Sequence, residues 1–182
     1  MSGKFSFSIT SEDRKRDLPG KVIIGCNETE TVTHVLLKFF GFLLFHRERL
    51  QIEARLHMDS IPFVPDLVQL DYELRPVFWV ECGECAVTKL HKLAVKVPEA
   101  EIWIMKKSLQ AAEDLLLQMS KADLRKDRYG VIGLDREMFD EVANLIRSRN
   151  EIFWLSGDFD PPRLQFDFNG LWFDAPFNVI GH

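Results

Sequence analysis

Pro65-Asp66-Leu67-Val68-Gln69-Leu70-Asp71 and, after Arg75-Pro76, Val77-Phe78-Trp79-Val80-Glu81-Cys82-Gly83 are the stretches whose reading decides the fold. Each is a short apolar run bounded by proline or glycine, as in a central strand covered on both faces. An acid stands before the first run and at the end of the second, so pairing the strands in register brings Asp66 and Glu81 to one edge. Thr88 can then cap a short helix over roughly Lys89 to Lys96 that ends before Pro98, and Ala100 to Met105 returns as a strand. Strand, helix, strand is the signature of a parallel crossover. The carboxyl end of such a strand, where Glu81 falls, is where open α/β sheets place ligand-binding groups.

Working outward, Lys4 to Thr10 alternates Phe5, Phe7 and Ile9 with small polar residues, and Lys21 to Gly25 is a β-branched run, so two strands flank a charged loop. Asn27 or Thr29 can cap a helix from about Glu30 to Arg49, whose apolar residues recur at helical spacing and mark it as largely buried. Downstream, Ser108 to Ser120 reads as helix, Tyr129 to Leu134 as strand, and Asp135 to Arg149 as a capped amphipathic helix. Asn169-Gly170 between Gln165–Phe168 and Leu171–Asp174 is a strong hairpin signal, because it accepts the positive φ angles of a type I′ turn. The expected fold is α/β, with one mixed central β-sheet flanked by helices, the Glu30 helix on one face and the Lys89 helix on another.

Residues 1–182, 46% hydrophobic and 28% charged, fit one domain with one core. Phe39 to Phe45, the longest apolar run, is too short to span a bilayer, and the first residues lack a signal-peptide pattern. A cytoplasmic protein without membrane contact is expected. Three cysteines without secretory context point to reduced thiols. A formal charge of -5 argues against indiscriminate nucleic-acid binding, so any such contact must be local.

Carboxylates that converge repel unless a cation lies between them, and their hard oxygen donors suit Mg²⁺ or Mn²⁺. Such a metal polarises a phosphoryl oxygen and acidifies a bound water, and a neighbouring lysine can orient that water. Lys89, Lys92 and Lys96 fall at spacings of three and four and share one helix face, which could hold a phosphate backbone; a solvated basic stripe is the bland alternative. Arg14-Lys15-Arg16 could extend that face, although a flexible loop is the commoner reason for such a run.

Pro65-Asp66, fourteen intervening residues and then Glu81-Cys82-Gly83 resemble the core of the PD-(D/E)XK nuclease superfamily, with Gly83 where that pattern carries its lysine. Trp79-Val80-Glu81-Cys82-Gly83 is similar to the form found in the small bacterial YaeQ family, in which basic residues follow on the next helix, and Lys92 and then Lys89 match those positions. Glu30-Thr31 opening an apolar helix that closes with Glu48-Arg49-Leu50-Gln51 is similar to that family's first helix, whose glutamate faces the metal. The resemblance implies a restriction-endonuclease-like core with a C-terminal β-hairpin. It implies a Mg²⁺- or Mn²⁺-dependent phosphodiesterase acting on DNA or RNA. Glu30, Asp66 and Glu81 would hold the metal, with the Cys82 carbonyl as a further ligand, and Lys92 or Lys89 would position water.

Gly83 also motivates a second reading, a nucleic-acid-binding or interaction module that keeps the fold without turnover. A third is a dithiol oxidoreductase through Cys82 and Cys85, which lie between strand and helix as in thioredoxin-like sites. No proline occurs between Pro98 and Pro161 to supply the cis-proline loop of such proteins. A zinc site from Cys26, Cys82, Cys85 and His91 would lack a second Cys-x-x-Cys pair. His34 and His46 are expected to pack or lie at the surface of the long helix.

Overall fold

In the computed structural model, which describes residues 3–56 and 58–182, the alternating N-terminal run becomes β1 (Gly3–Ser11), paired antiparallel with β2 (Lys21–Cys26). α1 (Val32–Leu44) follows. Its N-cap is Thr31, whose side chain accepts the His34 N–H, so Glu30 stands just outside the helix and not in its first turn. The helix stops at Leu44, short of the expected Arg49, and every residue from Val35 to Leu44 is buried. Arg16 donates from Nε and Nη2 to the Leu44 carbonyl at 3.1 and 3.0 Å and from Nη1 to Asp13 at 2.7 Å. The segment expected as a loose basic loop thus pins an arginine to the negative end of the α1 dipole.

Beyond α1 come β3 (Gln51–Ile52), β4 (Leu67–Leu70), β5 (Pro76–Cys82), α2 (Val87–Lys96), β6 (Glu101–Lys106), α3 (Leu109–Lys121), β7 (Tyr129–Gly133), α4 (Arg136–Leu145), β8 (Arg149–Phe159), β9 (Pro162–Phe168), β10 (Leu171–Pro176) and β11 (Asn178–Gly181). α2 begins after Ala86, which makes no side-chain cap, and so encloses Thr88. α4 is capped by Asp135 as expected but ends at Leu145, and Arg149 opens a strand. The buried Asn150 side chain explains the stop: it accepts from the Arg147 N–H at 2.8 Å and donates to the Arg147 carbonyl at 2.7 Å, closing a turn where helical bonds would continue. Asn169 and Gly170 both have positive φ, as the hairpin signal required.

The strands form two mixed sheets rather than the single central sheet expected, in the orders β10-β9-β8-β1-β2 and β11-β7-β6-β5-β4-β3. β1 leaves the central sheet because it pairs parallel with β8, with Ile9 opposite Ile152. Both crossovers, β5-α2-β6 and β6-α3-β7, join parallel strands. α1 and α4 pack with the inner faces of both sheets around Phe7, Phe39, Phe40, Phe139 and Phe166. α2 and α3 cover the other face of the six-stranded sheet around Trp79, Leu90, Leu93, Ile104 and Leu115. The expected single core is therefore split in two by that sheet, and β5 is covered on both faces. Among the described residues no helix is long and apolar enough to cross a membrane.

Candidate functional site

Leu67 pairs with Val80 and Val68 with Trp79 in the antiparallel β4–β5 ladder, so Asp66, one residue before β4, lies beside Glu81. Both are buried, at 8% and 4% exposure. Asp66 Oδ2 accepts the Cys82 backbone N–H at 2.7 Å, which ties the acid to the end of β5. Its Oδ1 is 3.0 Å from His34 Nε2, and His34 Nδ1 is 3.1 Å from Glu30 Oε2. Lys38, fully buried, donates to the same Glu30 oxygen at 2.7 Å and also to Glu53. Acid and base thus alternate through Asp66, His34, Glu30, Lys38 and Glu53.

Glu81 is served from the opposite face. Trp79, two residues earlier on the same side of the strand, donates its indole N–H to Glu81 Oε1 at 3.0 Å, and Lys89 Nζ lies 2.9 Å from that oxygen. Lys89 also stands 5.4 Å from the centre of the Phe63 ring. Leu90, Leu93 and Ala94 form the buried stripe of α2. Lys92 projects away from that stripe and is exposed, as is Lys96, and neither enters an ion pair among the described residues. Asp66, Glu81 and Lys89 therefore come together, Glu30 reaches Asp66 only through His34, and Lys92 stands apart.

His34 and Lys38 are the site residues that sequence reasoning missed. Glu30, His34 and Lys38 follow one another at spacings of four, the helical interval at which charged side chains meet, and that signal was available. Glu53 carried no comparable sign, since it lies on the chain between α1 and β4.

Burial pushes the Glu81 carboxyl above its usual range, and the Asp66 charge adds to this while Lys89 and the Trp79 N–H oppose it. Burial also works against the Lys89 ammonium, but the Glu81 charge and hydrogen bond outweigh it and hold the lysine above its usual value. The hydrogen bond to Asp66 is the main reason that His34 lies above the usual histidine value; desolvation works against it. As imidazolium, His34 donates from both ring nitrogens, one to each acid. A pKa raised on folding contributes stability that is complete below the unfolded value and is lost as pH rises through the folded one. In chelator-treated protein, urea unfolding of His34→Asn should lose this pH dependence across and above pH 6.5, whereas wild type should weaken there; parallel curves would refute the assignment.

The thiols lack the character that the oxidoreductase reading needs. Burial, with Asp66 and Glu81 nearby, pushes Cys82 well up, and Cys85 is pushed up to about 12 by burial and Glu81. His91 is exposed on α2, and among the described residues no three His, Cys, Asp or Glu side chains gather as a metal-binding group.

A family model described as YaeQ protein matches residues 2–154. The chain belongs to the YaeQ family. It is similar over 99% of its length to the crystal structure of YaeQ protein from Xanthomonas axonopodis pv. citri, at 20% identity, a TM-score of 0.72 and 97% coverage of that chain. The crystal structure of YaeQ protein from Pseudomonas syringae is similar over the whole chain, at 12% identity, a TM-score of 0.72 and 96% coverage. At these identities the likeness shows a shared YaeQ fold, including the C-terminal hairpins beyond the family match. Comparison with curated proteins finds no match. Every residue of the acid–base chain and of the Glu81–Lys89 pair lies inside the segment matched by the YaeQ family model.

Proposed function

We propose that the chain is a Mg²⁺- or Mn²⁺-dependent phosphodiesterase of the PD-(D/E)XK type, with a restriction-endonuclease-like core, acting on DNA or RNA. The observation that carries this reading is the placement of Asp66, just before β4, beside Glu81 on β5, with the Lys89 ammonium 2.9 Å from Glu81.

The donors fit a divalent cation as a two-carboxylate site. Asp66 and Glu81 supply hard oxygens, the Cys82 carbonyl is the neighbouring backbone acceptor, and Glu81 Oε2 takes no part in the bonds to Trp79 and Lys89. Glu30 does not gather with Asp66 and Glu81 as a three-acid group: His34 stands between it and Asp66, and both His34 and Lys38 engage its Oε2. The metal, when bound, supplies Lewis-acid polarisation of a phosphoryl oxygen and a more acidic water. Lys89 contributes positive charge and N–H donors at the acid pair, suited to orienting water. His34 links Asp66 to Glu30, so it holds a proton between two acids and restrains Asp66 against rotation. Burial of Asp66 and Glu81 strengthens each of these interactions.

Gly83 favours the binding-module reading, because it leaves only a lysine already paired with Glu81. Assays with single- and double-stranded DNA and RNA, with and without Mg²⁺ or Mn²⁺, distinguish turnover from binding. Lys89→Met should lose about 10²-fold or more of the cleavage rate, and Lys92→Met far less. The reverse ranking would transfer the lysine role to Lys92, and the absence of metal-dependent cleavage by wild type would leave the binding module.

A further inference from the structure

A cavity of about 400 Å³ opens between the start of α1, the turn after β5 and the start of α3, lined by Glu30, His34, Cys82, Gly83, Lys106 and Ala111 among others. Its size is in the range of small-ligand pockets. It shares a wall with the acid pair, because Cys82 lines it and the Cys82 N–H is the group held by Asp66.

Lys106, the last residue of β6, is 7% exposed, and its Nζ donates to the Gly83 carbonyl at 2.7 Å. It forms no ion pair with a carboxylate among the described residues. An ammonium carries three donors, so the Gly83 carbonyl leaves two to be used. Burying a cation whose one direct partner is a neutral acceptor is costly, and burial holds Lys106 below the usual lysine value although the Glu84 charge and Cys85 oppose it. The adjoining wall at the start of α3 is Ala111, whose N–H is already taken by Ser108 Oγ, near the positive end of the helix dipole. Lys107 stands beside it on the cavity lining. Two acids also line the cavity. Glu30 is engaged by Lys38 and His34, and Glu84 is exposed. The charge not already matched inside the cavity is therefore positive.

We propose that this cavity is a phosphate subsite, in which Lys106 and Lys107, near the positive end of the α3 dipole, hold a phosphate monoester such as the terminal phosphate of a nucleotide. A dianion with several acceptor oxygens can use the spare Lys106 donors and the Lys107 ammonium together. The inference rests on the phosphodiesterase reading only for the source of the phosphate, since the cation and the cavity stand without it.

Calorimetric titration of metal-free protein with inorganic phosphate, adenosine 5′-monophosphate and adenosine tests it. Phosphate and the monophosphate should bind and adenosine should not; tighter binding of the monophosphate identifies a nucleotide source, and equal binding identifies phosphate alone as the group recognised. Lys106→Met should weaken both by about tenfold or more, while Lys106→Arg retains binding. Amide NMR shifts on adding phosphate to wild type should concentrate at 107–111, which gives a readout independent of how the variants fold. No binding of either anion by wild type, or equal affinity in Lys106→Met, overturns the proposal. Metal-dependent cleavage with no phosphate binding overturns this inference alone, whereas phosphate binding through Lys106 without cleavage upholds it and removes the hydrolase reading.

Discussion

Glu81→Gln is expected to reduce metal-dependent cleavage of a labelled oligonucleotide by about 10²–10³-fold while leaving circular dichroism unchanged. The substitution is isosteric, and its amide oxygen can still accept the Trp79 indole N–H that Glu81 Oε1 takes at 3.0 Å. It removes the charge that pairs with Lys89 at 2.9 Å and one of the two buried carboxylates available to a divalent cation. Calorimetry with Mn²⁺ should show a matching loss of affinity, because a neutral amide is a poor substitute for a carboxylate toward a hard cation. Cleavage that persists in Glu81→Gln would place the activity elsewhere or in a contaminant. Failure of wild type to bind Mg²⁺ or Mn²⁺ would remove the metal from the reading altogether.

The largest stability effect is expected at Lys38. Lys38→Met should lower the unfolding free energy by about 3 kcal/mol, measured as a lower urea midpoint with unchanged slope. Lys38 is fully buried between Glu30, 11% exposed at its side chain, and Glu53, 35% exposed. Burial works against its charged form, yet hydrogen bonds to both glutamates, with the Glu53 and Asp66 charges, hold its pKa above the usual value. Methionine preserves the apolar stem and leaves Glu30 with only His34 to oppose its charge. The cost should fall on Glu30 more than on Glu53, which water reaches. Lys38→Met with Glu30→Gln should therefore recover a substantial part of the loss; additive effects would show that the lysine acts through packing.

Much of this arrangement was legible in the sequence, and what escaped has a physical reason. The two apolar runs around Asp66 and Glu81 are short and sharply bounded, so their pairing and the edge they share follow from the pleat alone. The Asn169-Gly170 turn was equally plain, because few residue pairs tolerate its backbone angles. The division into two sheets was not, because β1 finds its partner in β8, with Ser6 opposite Arg149, and no local pattern reports a pairing across that distance. In the site, Lys92 had the better spacing match to the family pattern, but the burial of Leu90, Leu93 and Ala94 turns it outward and leaves Lys89 at Glu81. His34 was set aside as a helix residue because the sequence did not show that Asp66 would arrive against its free nitrogen from outside α1.

The turn after β5 bears on whether position 83 could take the lysine that the proposed PD-(D/E)XK reading calls for there. Gly83 has a φ of +82°, its N–H donates to the Met105 carbonyl at 3.0 Å, and its carbonyl receives Lys106. Space is not the obstacle, since a Cβ there would meet nothing closer than 3.7 Å. Handedness is, because a lysine would have to adopt left-handed backbone at a cost of about 1–2 kcal/mol or turn the peptide and release both bonds. Gly83→Lys should thus lower the melting temperature and fail to raise activity. The slot is closed by its backbone, and no one-step exchange of side chain reopens it; a lysine serving Glu81 has to be delivered by a neighbouring element, as α2 does.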